Sequence, residues 1–217
     1  MIVRTLLVII LCSGFWTTSA WGQLKTTETE DVDIIYTSPL HKYLLPQLVS
    51  TFTNSYNFHR NLFGYTPTEN ISILMQDFGD FGHGGADALP TNNVNIGIGP
   101  FNYVYETMPA SERMNWLMHH ELTHIVTTDM PNKRDRFWRG LFRGKVSTSI
   151  DDPLSIMYSY LTNPRRYAPR WYHEGSAVFM ESWMANTKGR VFGAYDEMAF
   201  RTKVRDNAII YDIVGLE

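Results

Sequence analysis

The side chains best suited to chemistry lie in one short stretch, which runs from Met118 to His124. It contains the pattern His-Glu-x-x-His, in which His120 and His124 are four residues apart and Glu121 follows the first histidine. Residues four apart share one face of a helix, so these two imidazoles could bind one metal ion. Glu121 would then lie beside that ion, where its carboxylate could take a proton from a water molecule. Because the pattern also arises by chance, the residues around it have to support this interpretation.

The surrounding sequence predicts the helix that the motif requires. Ser111 is a suitable N-cap residue, and Glu112 places an acid in the first turn. From Met114 to Val126 the apolar residues recur at helical spacing, and neither proline nor glycine interrupts residues 110 to 129.

A catalytic zinc ion usually has three protein ligands, so the two histidines leave one ligand to be identified. In the metzincin pattern a glycine would stand at position 127 and a histidine at position 130. The chain has Thr127 and Met130 there, which excludes that ligand set.

A second segment, Trp171 to Ala177, contains the pattern Trp-x-x-Glu-Gly-x-Ala around Glu174. Together with His-Glu-x-x-His it resembles the gluzincins, the zinc metallopeptidases typified by thermolysin and the large aminopeptidases, over residues 90 to 186. The resemblance implies that His120, His124 and Glu174 bind one Zn²⁺ ion and that Glu121 is the general base. It also implies an α+β, zincin-like catalytic domain, in which a small twisted mixed sheet packs on the motif helix and a second helix carries the glutamate.

Further candidate residues lie downstream of the motif helix. Glu181 follows Glu174 by seven residues, nearly on the same helix face, so it could orient a ligand histidine or be the third ligand itself. The family usually adds a tyrosine or histidine that stabilises the oxyanion of the intermediate. Tyr195, Tyr211 and His173 are candidates for that role, although no motif supports any of them.

A half-exposed strand is predicted just before the motif helix, where polar and apolar residues alternate. The alternating residues are Asn93, Val94, Asn95 and Ile96. If this strand is a sheet edge, its backbone could bind an extended peptide substrate by strand addition, whereas an ordinary edge strand explains the pattern equally well. Further strands are predicted at residues 32–37 and 70–76, helices at 40–63, 153–161 and 171–184, and a glycine-rich turn at 77–85.

The first 20 residues have the features of a secretory signal peptide, with one early positive charge, a short apolar core and small residues for cleavage. Export of the protein is therefore expected. Residues 21–31 are expected to be a flexible lead-in, and residues 32–217 one metallopeptidase domain that is incomplete at its C-terminus. The single cysteine, Cys12, lies in the signal peptide, so the mature chain would use no disulfide.

The charge balance gives no case for nucleic-acid binding, because 19 Lys and Arg stand against 22 Asp and Glu. A basic insert with aromatic residues, 131–145, could make weak contact with an anionic surface or be an ordinary solvated helix face.

The sequence thus predicts an exported zinc peptidase that acts on peptides or proteins, and it makes no prediction of the oligomeric state. One alternative is an inactive peptidase-like binding or assembly domain of the cell envelope. The other is a domain without metal, in which the motif histidines belong to the core.

Overall fold

The computed structural model describes residues 24–79, 82–99, 112–163, 168–184, 189–192 and 194–209. The expected signal peptide, the N-cap candidate Ser111 and the oxyanion candidate Tyr211 lie outside these residues. The described chain has an α+β fold with one five-stranded mixed sheet and six α-helices. None of the helices in this described part is long and apolar enough to cross a membrane.

The strands of the sheet are β1 (Lys25–Glu28), β2 (Val32–Tyr36), β3 (Ile71–Gln76), β4 (Gly84–Asp87) and β5 (Asn93–Gly97). Their order across the sheet is β1-β2-β3-β5-β4. The three inner strands run parallel, and β1 and β4 join the two ends antiparallel. Every second residue of the inner strands is buried, as their alternating patterns predict, and these residues form the sheet's part of the core. They are Val32, Ile34, Tyr36, Ile71, Ile73, Met75, Val94 and Ile96.

Two expectations about the sheet do not match the structure. Residues 25–28 of the expected flexible lead-in form β1, because backbone pairing with β2 orders a polar segment that buries little side-chain surface. The strand that contains Asn93, Val94, Asn95 and Ile96 is not the sheet edge, because β4 pairs along its outer side. β4 itself lies partly in the glycine-rich stretch expected to be a turn. Its Gly-Gly-Ala-Asp sequence carries no strand pattern, and it is a strand because β5 supplies its hydrogen bonds.

The first α-helix, α1 (Leu45–Phe63), follows a 3₁₀-helix at Pro39–Leu44. Pro46 stands in the first turn of α1, where backbone N–H groups have no acceptor within the helix. Proline therefore costs no hydrogen bond there, and it marks the beginning of the helix. The helix ends at Gly64, whose φ of 58° is the left-handed conformation that favours glycine. The buried stripe that α1 adds to the core includes Leu48, Phe52 and Tyr56.

The motif lies on α2 (Arg113–Asp129), which is buried along most of its length. Glu112 is its N-cap, and the carboxylate accepts hydrogen bonds from the N–H groups of Met114 and Asn115 at 3.1 and 2.6 Å. The helix contacts α1, β4 and α5 (Arg170–Met184), the helix that carries Glu174. Both helices that the predicted site requires are therefore present and in contact.

The other helices are α3 (Lys133–Leu141), α4 (Pro153–Leu161) and α6 (Ala194–Arg205), with a 3₁₀-helix at Arg190–Phe192 before α6. α3 lies in the basic insert and turns Asp135 inward, whereas Phe137 is 66% exposed. Four cations of the insert are exposed, so contact with an anionic surface stays a prediction. They are Lys133, Arg134, Arg136 and Arg143.

Candidate metal centre

Three side chains from two helices bring one ligand atom each to a common point. His120 Nε2 and His124 Nε2, on one face of α2, lie 3.2 Å apart. Glu174 Oε2, from α5, lies 3.5 Å from His120 Nε2 and 3.7 Å from His124 Nε2. This group of two ring nitrogens and one carboxylate oxygen could hold a metal ion.

The residues of α5 that face inward recur at helical spacing after Glu174. Ala177, Met180 and Glu181 are all buried, whereas the side chain of Glu174 is 44% exposed at the rim of the site. Positions 174, 177 and 181 lie on one face of a helix, so this face brings both glutamates towards α2. Sequence spacing alone predicts that common face.

Glu181 lies on the other ring nitrogen of His120. Its Oε2 is 2.8 Å from His120 Nδ1, and the carboxylate is completely buried. Of the two roles that the sequence left open for Glu181, this position matches the orienting role, because Glu174 occupies the Nε2 side of the ring.

Arg190 is a further residue of the site that the sequence analysis missed. Its Nε and Nη2 atoms donate hydrogen bonds to the two carboxylate oxygens of Glu181 at 2.7 and 2.8 Å. Arg190 belongs to a short 3₁₀-helix, where neither helical spacing nor a motif marks it. The available signal was indirect, since a buried glutamate needs a cationic partner that the sequence does not identify.

Glu121 is buried, with 3% of its surface exposed, and shares the cleft with the three candidate ligands. Burial raises the pKa of Glu121 to about 7, a shift opposed by the charge of His120 and reinforced by that of Glu174. Its Oε2 atom has no hydrogen-bond partner among the described residues. A buried carboxylate oxygen without a partner is uncommon, and it suits a group that receives a proton from a bound molecule.

The three candidate ligands differ in their pKa values. Burial alone would lower the pKa of His120, but its hydrogen bonds with Glu174 and Glu181 raise it to about 9. The pKa of His124 is lowered to about 4, chiefly by burial and then by the charge of His120. The hydrogen bond with His120 lowers the pKa of Glu174 to about 2, so this carboxylate is ionised at neutral pH.

A cleft of about 440 Å³ opens over these residues. One wall is formed by β4 and Ala88, and another by the beginning of α5 with Arg170 and His173. His173 is therefore the oxyanion candidate that lines the cleft. Tyr195 lies on α6, is half-exposed, and is not among the described residues that line it.

β4 approaches Glu121 closely because it begins with glycine. A Cβ atom at Gly84 would collide with Glu121 Oε1 and Leu117 Cδ1, whereas a Cβ atom at Gly85 would meet nothing within 4 Å. Only the first of the two glycines is thus required by the contact between β4 and α2.

The C-terminal end of α2 is fixed by a buried carboxylate, Asp129. It accepts hydrogen bonds from Tyr65 Oη at 2.7 Å and Asn92 Nδ2 at 3.0 Å, and it pairs with Arg139 at 3.2 Å and Lys145 at 3.1 Å. Burial alone would raise the pKa of Asp129, but these hydrogen bonds and the charge of Lys145 lower it below its ordinary value. Two cations of the basic insert therefore hold the motif helix in place.

Comparisons with known proteins add no assignment to this geometry. The chain matches no protein-family model, no curated protein and no solved structure.

Proposed function

We propose that the protein is an exported, zinc-dependent peptidase with a zincin-like catalytic domain of the gluzincin type. One observation carries the proposal. The ligand atoms of His120, His124 and Glu174 converge at a point in the same cleft as the buried carboxylate of Glu121, whose Oε2 has no partner in the described chain.

The donor set favours zinc over a hard cation, because two imidazole nitrogens and one carboxylate oxygen are the ligands of many catalytic zinc sites. Tetrahedral bonds of about 2.0–2.2 Å place neighbouring ligand atoms about 3.4 Å apart. The separations of 3.2, 3.5 and 3.7 Å between these three side chains agree with that value. His120, His124 and Glu174 would hold a zinc ion with one position left for water, and the bound ion would lower the pKa of that water to about 7 and polarise the substrate carbonyl.

Glu121 is suited to proton transfer in this cleft. A general base works best when its pKa lies near the operating pH, and burial raises the pKa of Glu121 to about 7. Its Oε2, which has no hydrogen-bond partner in the described part of the chain, can accept the proton of the attacking water. The same oxygen can then deliver this proton to the amine that leaves the cleaved peptide bond.

The sheet edge beside the site suits an extended peptide. β4 is the outermost described strand on this side and lines the cleft. Its backbone could pair with a substrate strand by strand addition, the role that the sequence analysis considered for the strand of Asn93 to Ile96. The cleft volume of about 440 Å³ lies within the range of small-ligand sites and suits a few peptide residues.

A second candidate function is an inactive peptidase-like domain that binds or assembles proteins of the cell envelope. The lining of the cleft favours it in one respect, because no tyrosine is among its described residues. Of the oxyanion candidates in the described part of the chain, His173 is the one that lines the cleft, and it could supply that hydrogen bond if the protein is an enzyme.

Replacing Glu121 by glutamine tests the proposal. The wild-type protein should contain about one zinc ion per chain by elemental analysis and cleave members of a peptide library in a chelator-sensitive manner. Glu121→Gln should keep the zinc and lose at least about 100-fold in turnover, the range expected for a general base. Glu197→Gln is a matched control, because Glu197 is exposed on α6 and pairs with Arg201.

Turnover of Glu121→Gln close to that of the wild type would contradict the proposed mechanism. A wild-type protein that binds zinc but cleaves no peptide would favour the binding domain instead. A folded wild-type protein without stoichiometric zinc would support the domain without metal.

A further inference from the structure

We propose that Arg190 is a positioning residue of the metal centre, and that residues 189–191 form a strap that holds it in place. The strap acts on His120 through Glu181. The inference rests on metal binding by His120, which is one part of the proposed function, and it does not require peptide cleavage.

The first step is the contact between Arg190 and Glu181. The guanidinium donates from Nε to Oε1 at 2.7 Å and from Nη2 to Oε2 at 2.8 Å, and the backbone N–H of Arg190 lies 3.4 Å from Oε1. This is the bidentate fork by which arginine fixes both the position and the plane of a carboxylate. Glu181 is completely buried, so it requires such a partner to keep its place without solvent.

The second step is the contact between Glu181 and His120. Oε2 of Glu181 lies 2.8 Å from His120 Nδ1 and also accepts the bond from Arg190 Nη2. Arg190 Nη2 and His120 Nδ1 are 3.1 Å apart because both donate to this one oxygen. In the neutral form of the ring, which is the form that binds a metal ion, the hydrogen therefore lies on Nδ1 and the Nε2 lone pair points towards His124 and Glu174.

The third step is the attachment of the strap to α5. The N–H of Val191 donates to Ser182 Oγ at 3.0 Å, and Ser182 is completely buried. A Cβ atom at Gly189 would collide with the Cα and Oγ atoms of Ser182. The strap can therefore lie flat against α5 only with glycine at position 189, and this contact places Arg190 beside Glu181.

The strap and its contacts act on the metal centre from outside the set of candidate ligands. Gly189, Arg190 and Ser182 are not in the candidate ligand group, but all three residues control the orientation of one imidazole. A buried ion pair that serves only the fold would affect stability and leave the metal affinity of the folded protein unchanged.

The test is the dissociation constant for Zn²⁺, measured by competition with a chromophoric chelator on metal-free protein. Arg190→Met should bind Zn²⁺ about 10- to 100-fold more weakly, the usual effect of losing an outer partner of a metal ligand. Arg190→Lys, which keeps the charge but not the fork, should lie between Arg190→Met and the wild type. Arg201→Met is the matched control, because Arg201 is 77% exposed and pairs only with Glu197 in the described structure.

Gly189→Ala tests the strap without removing any polar group. It should also weaken Zn²⁺ binding, because the added methyl group displaces the strap from Ser182. Ser182→Ala should act in the same direction and more weakly, since it removes the hydrogen bond and introduces no collision.

The double variant Arg190→Met/Glu181→Gln shows whether the two residues act in series. Its dissociation constant for Zn²⁺ should equal that of whichever single variant binds Zn²⁺ less tightly. The second change adds no further loss, because both changes release the same imidazole. Nitrogen-15 NMR of the histidine rings in the metal-free wild type, at a pH above the pKa of His120, should show the hydrogen of His120 on Nδ1. Arg190→Met should lose this preference.

Two results would overturn the inference. One is a folded Arg190→Met protein, judged by its melting curve, with a Zn²⁺ affinity within threefold of the wild type. The other is full additivity of the two changes. If Arg190→Met does not fold, Gly189→Ala and Arg190→Lys decide by the same threefold criterion. If the wild type binds no zinc, this inference and the metal centre fail together, whereas zinc binding without peptide cleavage contradicts only the peptidase.

Discussion

His120 is held between two carboxylates, with Glu174 Oε2 at 3.5 Å from Nε2 and Glu181 Oε2 at 2.8 Å from Nδ1. Such an imidazole retains its proton to high pH, whereas His124 is neutral over the whole physiological range. Only one of the two motif histidines therefore has a proton to lose when a metal ion binds near neutral pH.

This difference predicts a pH dependence of metal binding. Because the pKa of His120 is raised to about 9, a metal ion has to displace a proton below that pH. The apparent affinity for Zn²⁺ should therefore rise by up to about tenfold per pH unit between pH 6 and pH 9 and then level off. Calorimetric titrations at pH 8, in two buffers of different ionisation enthalpy, should report release of at least about one proton, because His120 gives up its proton and the water on a bound zinc ion would also ionise at that pH.

Zinc binding without proton release at pH 8 would contradict this account of His120. Glu174 adds nothing to the proton count, since its pKa is lowered to about 2 and the carboxylate is already ionised. His124, with a pKa lowered to about 4, adds nothing either.

At the residue scale, the sequence predicts the side chains whose spacing follows helical geometry. His120 and His124 are four apart on α2, and Glu174 and Glu181 are seven apart on α5. Each pair can therefore be assigned to one helix face from the sequence alone. Arg190 follows no such rule, because it reaches Glu181 from a separate turn. Its role depends on how residues 189–192 fold back on α5, which is a tertiary contact.

In the proposed peptidase, the separation between β4 and α2 decides whether Glu121 can reach a bound peptide. β4 lies directly beside Glu121 because Gly84 has no side chain. Moving this strand outwards would widen the cleft and shift the backbone groups that we propose for substrate pairing. The ligands on α2 and α5 would remain in place.

Gly84→Ala should therefore impair catalysis more than metal binding. We expect kcat/KM to fall at least about tenfold, because a misplacement of about 1 Å near the reacting groups is costly. The affinity for Zn²⁺ should stay within threefold of the wild type. Gly85→Ala is the matched control, since a Cβ atom there meets nothing within 4 Å.

Equal kcat/KM values for Gly84→Ala and Gly85→Ala would show that the close approach of β4 has no role in activity. If Gly84→Ala loses zinc and Gly85→Ala keeps it, β4 supports the metal ligands instead.

At the element scale, the sequence predicts the segments that bury a regular stripe. The inner strands alternate, and α1, α2 and α5 carry apolar residues at helical spacing. β1 and β4 were missed because both are short, polar or glycine-rich, and ordered by backbone pairing with a neighbour. Because β4 was not predicted, β5 was the strand considered as a possible sheet edge for substrate pairing, whereas β4 lies outside it.

Across the whole molecule, Asp129 joins parts of the chain that are far apart in sequence. Tyr65 follows α1, Asn92 precedes β5, and Arg139 and Lys145 come from the basic insert. A completely buried carboxylate with two cations and two neutral donors is stable only while all of its partners remain. The insert, which adds length between the two motifs, is thus part of the support of the motif helix.

Asp129→Ala should lower the free energy of unfolding by about 3 kcal/mol, because it leaves Arg139 and Lys145 without their buried partner. Denaturant unfolding of metal-free protein measures this loss. Asp151→Ala is the control, since Asp151 is an exposed aspartate of the same region, and it should unfold like the wild type. Similar midpoints for the two variants would contradict the role of Asp129.

The pKa of Asp129 also fixes the direction of a pH effect. Because the folded-state pKa lies below the ordinary value of 3.8, Asp129 stabilises the fold above that pH. Its contribution should be lost as the pH falls through the lower, folded-state pKa. In Asp129→Ala this part of the acid sensitivity should be missing.

The three candidate ligands come from two helices, and 174 − 124 = 50 positions separate the last histidine from the glutamate. An unfolded chain therefore has no assembled site, and an ion that binds the native protein acts by mass action on the folding equilibrium. At a free-ion concentration of about 100 times the dissociation constant, the native state gains about 2.7 kcal/mol. The lifetime of the protein would then depend on the concentration of the metal ion in the compartment where it resides. A shortage of the ion would increase the unfolded fraction, which is open to degradation, and would also leave the proposed site without its metal.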